Sequence, residues 1–335
     1  MIKYEDIRSV HLEISTRCNA ACPDCPRNFR GVDIFADVTY PVLDMKLDQA
    51  RKIFPVEFVQ QLDNILINGN YGDFVTASDG LKIVEYFKES NSNINIEIST
   101  NASARPKIWT RLGELGVTVD FRLDGLKDTH YLYRQNTDWD LIIDNAKKFI
   151  AAGGKAVWAM IKFKHNEHQI AACEQLSREL GFSKFWLVDN GRDSFPVFTP
   201  DRKLSHVIGD YTGPTDFAEV SLVYQAQRMH ADSVIDQAVD KPVIDCYAKR
   251  NNEIYVAANG EVHPCCWIGY YPRMGAVSAR LSNHQVQWIM RQNNALWHTM
   301  QECIAWFADI EETWSRPVSI SGKIYACNET CGINK

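Results

Sequence analysis

The sequence lacks the features by which membrane and nucleic-acid-binding proteins are usually found. No run of about 18 apolar residues occurs, so no membrane-spanning helix is expected. No basic stretch stands out, and 36 lysines and arginines against 42 aspartates and glutamates give a net charge of -6, which argues against a nucleic-acid partner. The N-terminal stretch MIKYEDIRSV has no apolar segment of a secretory signal. We therefore expect a protein of the cytoplasm.

Internal repeats and low-complexity segments are also missing. The chain has 335 residues, of which 45% are hydrophobic and 23% charged, as in an ordinary globular protein. This length suffices for one large α/β domain and a smaller second one. The unusual feature is a total of ten cysteines. In a reducing compartment they indicate metal ligands or catalytic groups rather than disulfides.

Six short apolar segments alternate with amphipathic helical patterns in the first half of the chain. The segments lie at residues 10–15, 64–69, 94–99, 117–123, 156–163 and 184–189. Six successive strand–helix units predict an α/β fold with a parallel sheet and right-handed crossovers. In such a sheet the chemistry is expected at the carboxyl ends of the strands.

The strand–helix pattern ends near residue 190, which predicts three parts of the chain. Residues 1–190 are predicted to form the first domain, and residues 191–241 a linker with a helix near 216–229. Residues 242–335 are predicted to form a second domain that opens with a β-hairpin. The hairpin turn, Asn259–Gly260, is typical of a type I′ turn.

Three cysteines, Cys18, Cys22 and Cys25, lie in the segment STRCNAACPDCPR directly after the first predicted strand. Three thiolates leave one metal position open for an exchangeable ligand. The Cys-x3-Cys-x2-Cys spacing in this place resembles the radical SAM superfamily, although Asp24 stands where an aromatic residue is common. The resemblance implies a 4Fe–4S cluster whose fourth ligand is S-adenosylmethionine (SAM). A zinc site completed from elsewhere is the alternative.

The resemblance also implies a partial (β/α)6 barrel and a set of SAM contacts at the ends of its strands. Arg134 is favoured as the partner of the SAM carboxylate, and Arg122 is the alternative for that role. Arg122 could instead contact the substrate or be a surface charge. The implied SAM contacts are Gly69, Asn70, Tyr71, Gly72, Asp73, Ser99, Asn101, Arg122, Asp124 and Arg134.

A second group of cysteines lies in the last third of the chain. Cys246 and Cys265 flank the hairpin, and Cys327 and Cys331 would share one face of a helix. Two plus two thiolates make a fully ligated site, with Cys266 as the alternative to Cys265. The pattern resembles the one-cluster twitch domain of radical SAM proteins, which implies an auxiliary 4Fe–4S cluster. Zinc is the alternative, since it accepts the same four thiolates.

The remaining chemistry-bearing residues have simpler interpretations. Cys173 is predicted to be an inert buried thiol, and Cys303 a core residue with hydrogen-atom donation as the lesser alternative. His165 and His168 flank Asn166, which is predicted to cap a helix start, so a metal site is not favoured there.

The resemblance implies the following activity, with two 4Fe–4S clusters and SAM as cofactors. An external donor of the flavodoxin or ferredoxin type supplies an electron, SAM is cleaved, and the 5′-deoxyadenosyl radical takes a hydrogen atom from a small-molecule or peptide substrate. The auxiliary cluster would assist oxidation or position the substrate. A non-catalytic iron–sulfur carrier or sensor, and an epimerase with a cysteine hydrogen-atom donor, are the alternatives. No leader-binding domain is visible before the first strand, which favours a small molecule or a separately delivered peptide.

Overall fold

The structure, a computed structural model, describes residues 2–33, 41–105, 107–189, 194–222, 235, 237–270 and 293–334. The strands are β1 Ser9–Leu12, β2 Asn28–Phe29, β3 Val32–Asp33, β4 Asn64–Ile67, β5 Asn95–Thr100, β6 Thr118–Arg122, β7 Lys155–Ile161, β8 Lys184–Val188, β9 Phe195–Phe198, β10 Leu204–Ile208, β11 Val243–Ile244, β12 Glu253–Val256, β13 Val262–His263 and β14 Gly332–Ile333. The helices are α1 Leu47–Ile53, α2 Val56–Gln61, α3 Gly80–Ser90, α4 Trp109–Glu114, α5 Lys127–Tyr133, α6 Trp139–Ala151, α7 Ile170–Glu179, α8 Tyr247–Arg250, α9 Cys266–Tyr270, α10 Met300–Ala305, α11 Phe307–Thr313 and α12 Tyr325–Cys331.

One large sheet carries the fold. Its strand order is β13-β12-β1-β4-β5-β6-β7-β8, and every neighbouring pair from β12 to β8 is parallel. The six strands from β1 and β4 to β8 fall on the six predicted apolar segments, so the prediction of an α/β fold with six parallel strands is confirmed. Their carboxyl ends meet at one rim, where the first cysteine loop begins.

The two faces of this sheet differ in composition. Residues such as Val10, Leu12 and Ile98 point to the helices and belong to the main apolar core. The alternate residues point to the opposite, inner face, where polar residues such as His11, Glu97 and Asp120 lie beside apolar ones such as Leu66 and Val157. Parallel strands covered by helices on both faces are usually apolar on both. The polar residues of the inner face therefore mark the part of the sheet where a binding site is expected.

The hairpin predicted to open the second domain continues the sheet of the first. Its strand β12 pairs in parallel with β1, and β13 pairs antiparallel with β12. The predicted type I′ turn is wrong, because five residues separate the paired Val256 and Val262, and Asn259 lacks the positive φ that this turn requires. Gly260, at φ +87°, instead closes the turn by donating its N–H to Ala257 O at 2.9 Å.

The segment predicted as a linker contains a second hairpin, β9 with β10. Phe195, Val197 and Ile208 of this hairpin pack in one apolar cluster with Ala20 and Cys22 of the cysteine loop. The hairpin thus covers the loop on one side. The helix predicted near 216–229 is present over residues 217–222, and the rest of that prediction lies outside the described residues.

The isolated cysteines and the predicted cap have clear places in the fold. Cys173 and Cys303 are both fully buried in the main core, as predicted. Asn166 precedes a short 3-10 helix, Glu167–Gln169, but its side chain does not cap it. The amide is buried and bonds backwards instead, donating to Ile161 O at 2.9 Å and accepting from Phe163 N at 2.8 Å. Among the helices that the structure describes, none is long and apolar enough to cross a bilayer.

Candidate active site

The loop that follows β1 is tied to its surroundings through the backbone. Thr16 donates its N–H to Leu43 O at 2.9 Å and its hydroxyl to Pro41 O at 2.8 Å. Within the loop, Cys25 N donates to Cys22 O at 3.1 Å, and Asn28 N donates to Cys25 O at 2.8 Å. All three cysteines of the loop line one cavity.

The three thiols lie close enough to influence one another. Burial and, to a lesser extent, the nearby Cys22 raise the pKa of Cys25 to about 12, with Arg27 and Arg134 acting in the opposite direction. Burial also raises the pKa of Cys18, as do the charge of Asp73 and the two other thiols. Deprotonating three crowded, buried thiols is unfavourable unless a cationic centre binds them. The residues therefore fit an iron–sulfur cluster that takes them as thiolates.

Polar donors from two other parts of the chain approach these sulfurs. Asn101 Nδ2 lies 3.8 Å from Cys18 Sγ, and Arg134 Nη1 lies 3.8 Å from Cys22 Sγ. Ala20 N donates to Cys18 Sγ at 3.4 Å. Donors of this kind stabilise cluster thiolates and tune the potential of the metal site.

A cavity of about 310 Å³ opens beside the three cysteines. Its remaining wall comes from the adjacent strands β4, β5, β6 and β7: from the carboxyl ends of β5, β6 and β7 and from the segments that follow β4, β5 and β6. Two of the predicted SAM contacts, Tyr71 and Asp124, are buried behind this wall. The predicted SAM contacts that line the cavity are Gly69, Asn70, Gly72, Asp73, Ser99, Asn101, Arg122 and Arg134.

Asp73 organises the middle of this wall. Its carboxylate accepts from Thr100 Oγ1 at 2.5 Å and from Asn101, through the backbone N and through Nδ2, at 2.8 Å each. Burial raises the pKa of Asp73, and these hydrogen bonds together with Arg134 act in the opposite direction. The network fixes Asn101, whose side chain also faces Cys18.

The two arginines of the wall are fixed in different ways. Arg134 Nε forms a 2.6 Å ion pair with Asp124, whose side chain is fully buried and also accepts from Ile161 N at 2.6 Å. Burial lowers the pKa of Arg134, but the charges of Asp124 and Cys22 outweigh it, so the net shift is upward. Arg122 Nε donates to Ser99 Oγ at 2.7 Å. Burial lowers the pKa of Arg122, and the charge of Asp120 acts in the opposite direction. Both guanidinium groups are thus held in fixed orientations at the cavity.

The sequence analysis missed Glu13, which lies behind the glycine-containing segment 69–73. Its side chain is fully buried and accepts from Tyr71 N at 2.7 Å and from Gly72 N at 3.0 Å. The signal was a charged residue in the middle of an apolar strand pattern, at a position that alternates with core residues. The same signal marks His11, which lies two residues earlier on the inner face.

The second cysteine group assembles around another cavity, of about 600 Å³. Cys246, Cys265, Cys266 and Cys331 line it together with His11. Cys327 lies on α12 with Cys331, as the spacing predicted, and packs beside Cys265.

The thiols of this group also perturb one another. A hydrogen bond between Cys246 and Cys331 raises the pKa of Cys246 and lowers that of Cys331 to about 6. Burial raises the pKa of Cys265 well above its ordinary value. The neighbouring thiols of Cys266, Cys327 and Cys331 act in the same direction. Neither here nor at the first cysteine loop do three His, Cys, Asp or Glu side chains of the described residues form a group arranged to hold a single metal ion.

Solved structures with this fold were found by comparison of the coordinates. Streptococcus suis SuiB bound to S-adenosylmethionine matches with a TM-score of 0.53 at 15% identity, over 88% of this chain and 65% of SuiB. anSMEcpe with bound AdoMet matches with a TM-score of 0.56 at 12% identity, over 98% of this chain and 89% of that one. This chain therefore spans just under two thirds of the length of SuiB. By sequence, no family model and no curated protein matches it.

The chain has the fold of the radical SAM superfamily, which confirms the predicted resemblance at the level of the fold. More particularly, SuiB and anSMEcpe are SPASM/twitch radical SAM enzymes, the group to which the sequence pattern of the second cysteine set is similar.

Proposed function

We propose that this chain is a radical SAM enzyme, which cleaves SAM reductively and removes a hydrogen atom from its substrate. The observation that carries the proposal is the convergence on one cavity of three thiols from a single loop and polar groups from three adjacent strands. In this proposal Cys18, Cys22 and Cys25 hold a 4Fe–4S cluster. A cluster bound there supplies the electron that breaks the C5′–S bond of SAM.

The chain's own residues bind and orient SAM. The backbone of segment 69–73 approaches the ligand closely, since Gly69 and Gly72 bring no side chain into the cavity. Asp73 and Asn101 present a carboxylate and an amide to its polar groups. Arg134 or Arg122 receives its carboxylate, and Asp124 acts by positioning Arg134.

We further propose that Cys246, Cys265, Cys327 and Cys331 hold an auxiliary 4Fe–4S cluster. Support comes from the mutual effect of these thiols on their pKa values and from the cavity that Cys246, Cys265 and Cys331 line together. A zinc ion bound by the same four thiolates is the alternative. Cys265 is favoured over Cys266 as the ligand because the thiol of Cys265 also raises the pKa of Cys246.

The substrate is proposed to be a peptide or a small molecule, and the electron donor a flavodoxin or ferredoxin. The peptide is favoured by two neighbours of the same fold: SuiB is known bound to the precursor peptide SuiA, and anSMEcpe with the Kp18Cys peptide. An epimerase would need a thiol beside the substrate. Cys303 is fully buried in the core, so Cys266, which lines the second cavity, is the better candidate for such a donor.

The proposal is tested by anaerobic turnover. Reconstituted protein is mixed with SAM and dithionite, and 5′-deoxyadenosine is followed by mass spectrometry. We expect the nucleoside from the intact protein and from Cys173→Ala, a matched control outside both sites, but not from Cys18→Ala. If Cys18→Ala produces as much nucleoside as the intact protein, the first cysteine loop is not the reaction site. If the intact protein binds SAM without cleaving it, the alternative of a carrier or sensor is favoured.

A further inference from the structure

Glu13 is a carboxylate of the inner sheet face that no cysteine site requires. It lies just beyond the end of β1, is 1% exposed, and has a partner for each oxygen. Oε1 accepts the two backbone N–H groups of Tyr71 and Gly72, and Oε2 accepts the hydroxyl of Tyr255 at 2.6 Å. Consecutive N–H groups that converge on one anion fix the backbone that carries them.

The segment held by Glu13 has little freedom to adopt another conformation. A Cβ on Gly72 would lie 1.8 Å from Ser15 O, and a Cβ on Gly69 would lie 2.4 Å from Gly72 O. The segment is therefore packed against the start of the cysteine loop on one side and against Glu13 on another. Its remaining side forms part of the wall of the first cavity.

The same carboxylate connects this segment to the second cysteine site. Asn70 Nδ2 donates to the hydroxyl of Tyr255 at 3.2 Å and to Cys266 O at 3.3 Å. Tyr255 lies on β12 and is fully buried. Burial raises the pKa of Glu13 to about 7, and the hydrogen bonds from Tyr255 and the loop backbone act in the opposite direction. One hydrogen-bonded unit thus spans from the first cavity to the backbone beside Cys265.

We propose that Glu13 is a positioning residue for the SAM-binding segment 69–73, and that Asn70 and Tyr255 couple this segment to the second cysteine site. This inference rests on the proposed function. When two binding sites both act on the conformation of one connecting unit, a ligand at either site changes the binding free energy at the other by the same amount. SAM bound at the first site should therefore change the environment of the second cluster.

The test uses reconstituted full-length protein, with SAM as the probe. Binding is measured by calorimetry, and the second cluster is followed by electron paramagnetic resonance with and without SAM. At about pH 8, where Glu13 is ionised, Glu13→Gln should weaken SAM binding about tenfold, equivalent to about 1.4 kcal/mol, because two charge-assisted hydrogen bonds become neutral. Tyr255→Phe should keep the SAM Kd within about threefold, yet lose the SAM-induced change in the second cluster's spectrum.

Glu85→Gln is the matched control. It makes the same chemical change on α3, where Glu85 pairs with Arg111 at 2.8 Å and lines neither cavity, and both readouts should stay as in the wild type. Wild-type SAM affinity in Glu13→Gln would overturn the positioning role. A SAM-induced spectral change that persists in Tyr255→Phe, or that is missing in the wild type, would overturn the coupling. If Glu13→Gln fails to fold, Glu13→Asp, whose shorter side chain keeps the charge but withdraws it from Tyr71 N and Gly72 N, tests the positioning role by the same loss of SAM affinity, and Tyr255→Phe still tests the coupling. A wild type that does not bind SAM contradicts the proposed function instead.

Discussion

The ion pair between Asp124 and Arg134 offers a sharp test of how this site is stabilised. Asp124 is fully buried, and its two oxygens accept from Arg134 Nε and Ile161 N, both at 2.6 Å. In Asp124→Asn one oxygen still accepts from Ile161, but an amide N–H₂ then faces the guanidinium. The substitution leaves a buried cation without its anion.

The expected cost is large because Asp124 is fully buried and the amide that replaces it turns N–H groups toward the guanidinium. Removing one member of a buried ion pair destabilises a protein by about 3–5 kcal/mol. At roughly 2 °C per kcal/mol for a chain of this size, the unfolding midpoint of the reconstituted protein should fall by about 6–10 °C. Scanning calorimetry under anaerobic conditions measures this directly.

The chain offers a matched control for the same change. Asp24 pairs with Arg30 at 3.3 Å near the same cysteine loop, but the two side chains are 40% and 24% exposed. Asp24→Asn should therefore shift the midpoint by less than about 2 °C, since exposed pairs contribute at most about 1 kcal/mol. Equal shifts for Asp124→Asn and Asp24→Asn would refute the account of Asp124 as the buried counter-charge of Arg134.

Three further predictions concern the rest of the site. Gly72→Ala should destabilise the protein by more than about 4 kcal/mol and abolish SAM binding in calorimetry, because its Cβ would lie 1.8 Å from a backbone oxygen; normal binding would contradict this packing. The pKa of Glu13 is raised to about 7 in the folded state, so folding favours its protonated form. As the pH rises from about 4.5 to 7, the wild type should therefore lose up to about 3 kcal/mol of its free energy of unfolding relative to Glu13→Gln. Parallel pH profiles of the two proteins in denaturant titrations would exclude this raised pKa. The wild type should hold about eight irons, and replacement of all three cysteines of the first loop by alanine should leave about four; far fewer would mean that the second site holds no cluster.

Local sequence pattern was sufficient for the parallel sheet and for the first cysteine loop. The strands were predictable because apolar residues such as Val10 and Ile98 recur at every second position, and these residues belong to the main core. The loop was predictable because Cys18, Cys22 and Cys25 are close in sequence and need no tertiary contact to be recognised as a set.

Contacts between distant residues could not be predicted in this way. Glu13 and Tyr255 are 242 positions apart, and only the pairing of β12 with β1 brings them together. The Asn259–Gly260 dipeptide favours a two-residue turn, but the last paired residues are Val256 and Val262, and Ala257 N donates to Glu261 O at 2.8 Å, so the loop is longer than the dipeptide predicts. The hairpin of β9 and β10 was missed because its apolar residues pack on the cysteine loop rather than on a helix.

The central claim is that SAM binds the open iron of a cluster held by Cys18, Cys22 and Cys25. The most direct measurement is electron–nuclear double resonance on the reduced Cys246→Ala/Cys327→Ala variant, which keeps only the first cluster, with SAM labelled with ¹⁵N at the amino group. The account predicts a ¹⁵N coupling to the cluster that disappears when unlabelled SAM is used. A reduced cluster that shows no such coupling at saturating SAM would contradict it.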